Sequence, residues 1–123
     1  MKEQQQHLLR YLKFNKVLNC VKELDELVKE KDLTKRAQLV KKLEDCVINA
    51  ISEIAKNCLS GNIPLSKEDF DKLTRYHNIL RKISQKSPVK KRKKLVLQSG
   101  GFIDTLIPSA LCFITSVIKT LVK

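Results

Sequence analysis

Apolar residues recur at steps of three and four through most of this 123-residue chain, which is the repeat of an α-helix with one buried side. No stretch alternates apolar and polar residues over the length of a strand. Gly and Pro number only three each, so there are few positions at which the chain must break. The pattern predicts an all-α fold, in which a small three-helix bundle is followed by a basic linker and a C-terminal apolar, amphipathic helix.

Three amphipathic segments within residues 1–86 are predicted to form the helical domain. The first occupies roughly residues 8–31, and the second begins at a cap provided by Asp32 or Thr34. Gly61 suits the left-handed position that ends the second helix, because it has no Cβ to clash. Ser66 begins a sequence typical of a capping box and predicts the start of the third helix.

The positive charge is concentrated in one short window. The chain carries 25 Lys and Arg against 13 Asp and Glu, a net charge of +12. Residues 84–98 hold six basic side chains and no acidic one, which is half of that excess. Such an asymmetry indicates a polyanionic partner, either nucleic acid or an anionic membrane surface. The predicted nucleic-acid contacts are Lys86, Lys90, Lys91, Arg92, Lys93 and Lys94.

Residues 87–99 are predicted to be a basic linker that is extended or only partly helical, because five consecutive positive charges repel one another. No aromatic side chain is interleaved with them, which favours phosphate contacts over base stacking and single-strand recognition. Two other interpretations of the basic run remain open. One is a nuclear localisation signal, and the other is a juxtamembrane anchor beside anionic headgroups.

Residues 100–123 form the third predicted region, with Gly100 and Gly101 as a flexible break before an apolar helix. The run is about long enough to span a bilayer, and its polar residues equally allow it to lie in the interface. A fourth core helix of the bundle is the other interpretation. The predicted membrane-binding face consists of Phe102, Ile103, Ile107, Leu111, Ile114, Ile118 and Leu121.

The sequence contains no pattern typical of an enzyme. The two histidines, His7 and His77, have no cysteine or carboxylate at the spacing of a catalytic triad or metal site. No Gly-rich phosphate loop is present. We therefore predict no catalytic activity, no cofactor and no metal. The four cysteines form no Cys-x-x-Cys pair and are predicted to be reduced, buried residues: Cys20, Cys46, Cys58 and Cys112.

The order of these parts resembles that of a viral protein family. A basic run, the Gly100-Gly101 pair, a Leu-Ile-Pro element at residues 106–108 and an apolar tail are similar to the end of the adenovirus core protein precursor pX, the precursor of mu. The chain also resembles small late proteins of Maverick/Polinton elements and adintoviruses. In those proteins a helical domain precedes the basic run, and residues 59–65 are similar to their connector.

The resemblance implies a virion protein that binds packaged double-stranded DNA and is present in the host nucleus or cytoplasm during assembly. It further implies cleavage at Gly100 and Gly101 by a viral cysteine protease, and a tail that contacts membrane or capsid proteins. The main alternative is a tail-anchored or membrane-active helical protein in which the lysines mark the cytosolic side. A third is a helical interaction module that uses all of its helices as one core.

Overall fold

A computed structural model describes the backbone of residues 16–121 and the side chains of residues 16–117. The described part is helical and contains no strand, which confirms the all-α class. Its helices are α1 (Val21–Lys29), α2 (Leu33–Lys42), α3 (Asp45–Leu59), α4 (Lys67–Arg75), α5 (His77–Ser84), α6 (Val89–Gln98) and α7 (Ile107–Leu121). A π-helical turn, Phe102–Leu106, leads directly into α7.

The three helices predicted for the first 86 residues are each divided. The first changes direction at Asn19 and Cys20, and its predicted start lies outside the described residues. The second is interrupted where Leu43 and Glu44 adopt extended backbone angles, which separates α2 from α3. The third changes direction at Tyr76, between α4 and α5. Each predicted apolar row is therefore shared by two helices with different packing partners; α2 packs mainly against α6, for example, and α3 mainly against α5.

The predicted helix ends are confirmed where a side chain or a glycine defines them. The Asp32 carboxylate accepts a hydrogen bond from the backbone N–H of Lys35 at 3.0 Å and caps α2. Ser66 caps α4 in the same way, accepting from the N–H of Asp69 at 3.2 Å. Gly61 follows α3 with a φ of +75°, in the left-handed region that favours glycine.

The basic run forms a helix, Val89–Gln98, within the linker that was predicted to be extended or only partly helical. This helix, α6, packs against α2, α3 and α5. Val96 is fully buried, and Val89 and Leu95 pack against the core at its edge. Tertiary contacts thus stabilise a helix that charge repulsion would disfavour in isolation. The sequence pattern did not predict this because only three apolar side chains make those contacts.

The C-terminal segment is part of the same core. The π turn and α7 pack against α1, α3 and α4. Its fully buried side chains are Phe102, Ile103, Leu106, Ile107, Ala110 and Ile114. Among the alternatives left open by the sequence, this arrangement matches the additional core helix. No single described helix has the length and apolar character of a bilayer span; only α6 and Phe102–Val117 taken together do, and they meet at 83°.

An ion pair fixes the π turn to the first two helices. Arg36 of α2 is buried and donates from Nη2 to Asp104 Oδ1 at 2.7 Å. Lys31 reaches the same oxygen from the solvent side at 3.1 Å. The Arg36 hydrogen bond, with help from Lys31, lowers the pKa of the Asp104 carboxyl below its usual value, although partial burial opposes that shift. The tail is therefore held by a specific polar contact as well as by apolar packing.

Gly101 is a packing position rather than a flexible hinge. Its backbone is helical, with φ −63° and ψ −35°. A Cβ added there would overlap the Tyr76 side chain, with Cε2 at 2.7 Å and the hydroxyl closer still. A Cβ at Gly100 would meet no atom within 4 Å. Gly101 of the predicted Gly-Gly break thus packs against Tyr76, the residue between α4 and α5.

We expect Gly101→Ala to lower the free energy of unfolding by about 1–3 kcal/mol, because the new methyl group overpacks the contact with Tyr76. Gly100→Ala is the matched control, and it should leave stability unchanged or raise it by up to about 1 kcal/mol. Urea unfolding of the two variants measures the difference. In a Tyr76→Ala background the cost of Gly101→Ala should disappear; a cost that persists there would assign the strain to another contact.

Candidate nucleic-acid interface

A groove of about 850 Å³ lies where α6 packs beside α2. Five lysines line it and no acidic residue does: Lys41, Lys90, Lys91, Lys93 and Lys94. Its floor is apolar and consists of Ala37, Val40, Pro88 and Leu97. We call this surface the lysine groove. A concave surface with charges of one sign over apolar walls concentrates the electric field and attracts anions.

Helical spacing and one interhelical hydrogen bond position these lysines. Lys90 and Lys94 are four residues apart in α6, so they lie on the same face one turn from each other. The Lys93 amine donates to the backbone carbonyl of Lys41 at 2.9 Å. That carbonyl belongs to the last turn of α2, where backbone oxygens lack helical partners and the helix dipole favours a cation. Lys93 thereby joins the two walls of the groove.

Arg92 does not face the groove. Its Nε donates to the carbonyl of Ser87 at 3.1 Å, and its Nη1 donates to Asn49 Oδ1 at 2.8 Å and Ser52 Oγ at 3.0 Å. Asn49 and Ser52 belong to α3, so Arg92 anchors α6 to that helix. In this structure it is committed to protein contacts, contrary to the assignment of all five consecutive cations to one DNA-binding surface.

The other predicted DNA contacts divide between two places. Lys90, Lys91, Lys93 and Lys94 share the lysine groove, whereas Lys86 lines a separate cavity beside α3. Lys41 was not among the predicted contacts. It is distant in sequence from the basic run, and only the packing of α2 on α6 brings it there. The only local sequence signal that could have identified Lys41 is the basic pair that it forms with Lys42 near the end of α2.

The predicted membrane-binding face points into the protein over the described residues. Phe102, Ile103, Ile107 and Ile114 are fully buried, and Leu111 is partly buried. The side chains of Ile118 and Leu121 lie outside the described set. Contact of this face with a bilayer would require the π turn and α7 to leave the core.

The prediction that all four cysteines are buried is correct for two of them. Cys20 and Cys58 are buried, but Cys46 and Cys112 are exposed, and all four thiols are free. Burial raises the pKa of the Cys58 thiol to about 12, which keeps it protonated and unreactive. Among residues 16–117, no group of three His, Cys, Asp or Glu side chains is placed to hold a metal ion.

Comparison of the chain with protein-family models, curated proteins and solved structures found no significant match.

Proposed function

We propose that this protein binds double-stranded DNA without sequence preference through the lysine groove. The observation that carries the proposal is the meeting of five lysines from two helices on one surface whose lining contains no acidic residue. Lysine ammonium groups neutralise phosphates as point charges, and each contact releases counterions from the DNA. Lys41 comes from a separate part of the chain and takes the place that Arg92 has in the basic run, so the folded surface also carries five positive charges.

The composition of the groove favours phosphate contacts over base recognition. Its lining has no aromatic side chain to stack on unpaired bases and no Asn, Gln or Arg to make paired hydrogen bonds with base edges. Arg92 and Lys93 fix α6 to its neighbours, so the backbone carrying the lysines is already ordered before DNA arrives. Less conformational entropy is then lost on binding than with a flexible basic peptide.

The resemblance to the adenovirus pX family extends this proposal to DNA packaged in a virion. Cleavage at Gly100 and Gly101 remains a prediction of that resemblance. Proteases bind their substrates in extended form, whereas Gly101 is helical and packed against Tyr76. Cleavage in the folded protein therefore requires this contact to open first, and Tyr76→Ala should accelerate it.

An anionic membrane surface is the second candidate partner of the same groove. The observation that favours it is the apolar floor, where Leu97 is 40% exposed between basic side chains. Lysines combined with exposed apolar groups suit a headgroup layer. A duplex offers regularly spaced phosphates but little apolar surface, whereas a bilayer offers both anionic headgroups and apolar chains. Binding to duplexes and to vesicles therefore distinguishes the two partners.

Fluorescence anisotropy with two unrelated duplexes of equal length tests the proposal. We expect equal affinities for the two duplexes. The slope of log K against log salt should lie near −3.6 if the four groove lysines other than Lys93 meet phosphates, at roughly −0.9 for each contact. The Lys93 amine is bonded to the Lys41 carbonyl and is not counted. Vesicles containing phosphatidylserine provide the competing partner. Tight vesicle binding together with weak, salt-insensitive duplex binding would overturn the DNA proposal in favour of the membrane.

A further inference from the structure

A second cavity, of about 680 Å³, brings two cysteines together outside the lysine groove. Cys20 immediately precedes α1, and Cys46 lies in the first turn of α3. Both line the cavity, and Cys46 is close enough to be among the groups that raise the pKa of the Cys20 thiol. The Cys46 thiol donates to Glu44 Oε2 at 3.8 Å. The residues are 26 positions apart in the sequence, so the fold rather than a local motif creates this pair.

The two thiols differ in their access to solvent. Cys46 is exposed, whereas Cys20 is only 4% exposed. Burial, together with the neighbouring Cys46 and the carboxylates of Glu23 and Glu44, raises the pKa of the Cys20 thiol to about 11. A reagent arriving from solvent therefore meets Cys46 first. Cys20 is the less accessible thiol of the pair, and it is placed to react with a disulfide formed on Cys46.

The remaining lining of the cavity is cationic. Lys16, Lys56, Lys86 and Arg92 contribute four positive charges. They exceed the three carboxylates nearby, which are Glu53 in the lining and Glu23 and Glu44 beside the two thiols. A small anionic molecule is attracted into such a site, and a cationic one is repelled. Among small disulfides, oxidised glutathione carries an excess of carboxylates and matches this charge.

We propose that Cys46 and Cys20 form a redox pair that reacts with small anionic disulfides and closes to an intramolecular disulfide bond. The Cys46 thiol loses its proton, and its sulfur attacks one sulfur of oxidised glutathione. The glutathione disulfide breaks, and one glutathione leaves as a thiolate that takes up the proton. The product is a mixed disulfide between Cys46 and glutathione.

The Cys20 thiol then loses its proton and attacks the Cys46 sulfur. The mixed disulfide breaks, the second glutathione leaves and is protonated, and a Cys20–Cys46 bond remains. In sum, two protein thiols are oxidised by two electrons and one oxidised glutathione is reduced to two thiols. This chemistry uses none of the lysine-groove residues, so it is independent of the proposed DNA binding.

The test uses the full chain with Cys112→Ser, because Cys112 is the other exposed thiol. The folded protein is incubated with oxidised glutathione, quenched with acid, and analysed by intact mass and non-reducing peptide mapping. We expect the loss of two hydrogen atoms and a peptide linked through Cys20 and Cys46. A stable glutathione adduct on Cys46, or no reaction at Cys46, would overturn the proposal.

Two controls test whether the product depends on the pairing of Cys20 with Cys46 or only on the exposure of Cys46. Cys20→Ser should convert the product to a glutathione adduct on Cys46, because the resolving thiol is gone. Cys46 in the Cys112→Ser chain should react on the order of tenfold faster with oxidised glutathione than with the cationic disulfide cystamine. Equal rates would refute the part of the proposal that assigns the cavity to anionic disulfides. The linked peptide in the Cys112→Ser chain decides the pairing even if Cys20→Ser does not fold.

Discussion

A chain that ends at Ser99 is expected to have no cooperative thermal unfolding transition. The truncation removes five large, fully buried side chains: Phe102, Ile103, Leu106, Ile107 and Ile114. Burial of each contributes about 1.5–3 kcal/mol, so the loss is on the order of 10 kcal/mol. That is comparable to the roughly 5–15 kcal/mol by which typical domains are stable. Circular dichroism during heating is the measurement.

A chain that ends at Val117 is the matched control, because it retains every one of those buried side chains. It should melt cooperatively and close to the full-length protein. If the chain that ends at Ser99 melts as sharply as this control, the first 99 residues form a domain by themselves. The apolar tail would then be free to act as the separate membrane- or capsid-binding segment predicted from the sequence.

Replacing Asp104 with alanine is expected to lower the free energy of unfolding by about 2–3 kcal/mol. The change leaves the buried Arg36 guanidinium without its carboxylate, and an unpaired buried charge is costly. The expected loss is at the low end for a buried pair because the Asp104 side chain is 42% exposed. Lys31→Ala is the control, since an exposed partner contributes about 1 kcal/mol or less.

The same pair predicts a pH dependence with a definite sign. The Asp104 pKa is lowered in the folded state, so the folded protein binds fewer protons than the unfolded chain near that pKa. The stabilisation is complete above the unfolded aspartate pKa of about 3.9 and is lost as the pH falls through the folded pKa. The stability difference between wild type and Asp104→Ala should shrink below about pH 4. A difference that is constant from pH 7 to pH 3 would contradict the ion pair.

Local sequence signals predicted the helix ends but not the breaks between helices. Asp32, Ser66 and Gly61 are recognisable because their effects depend on nearest neighbours in the chain. The breaks at Leu43–Glu44 and at Tyr76 involve neither glycine nor proline. Tertiary packing accounts for those breaks, since the helices on either side of each break pack against different elements. A single-sequence pattern does not contain that information.

The basic window identified four of the five groove lysines but could not assign individual roles. The charge pattern gives Arg92 the same predicted role as the flanking lysines. In the structure its planar guanidinium, which carries several N–H donors, bonds to Asn49 and Ser52 instead. Lys41 joins the groove only through contact between two helices. The predicted membrane-binding face of the tail packs into the core against α1, α3 and α4, and the sequence alone does not show that these helices leave room for it.

The most direct test of DNA binding by the lysine groove is the salt dependence of duplex binding by two triple variants. One replaces the exposed groove lysines Lys90, Lys91 and Lys94 with glutamine. The other replaces the exposed Lys22, Lys67 and Arg75 with glutamine. Lys22 lies on α1, which packs mainly against α7, and the other two lie on α4, which packs mainly against the π turn. Both variants lose the same net charge.

The slope of log K against log salt should become shallower by about 2.7 in the groove variant, at roughly 0.9 for each lost contact, and stay close to wild type in the control. Equal loss of slope in the two variants, or a wild-type slope in the groove variant, would contradict DNA binding by the lysine groove.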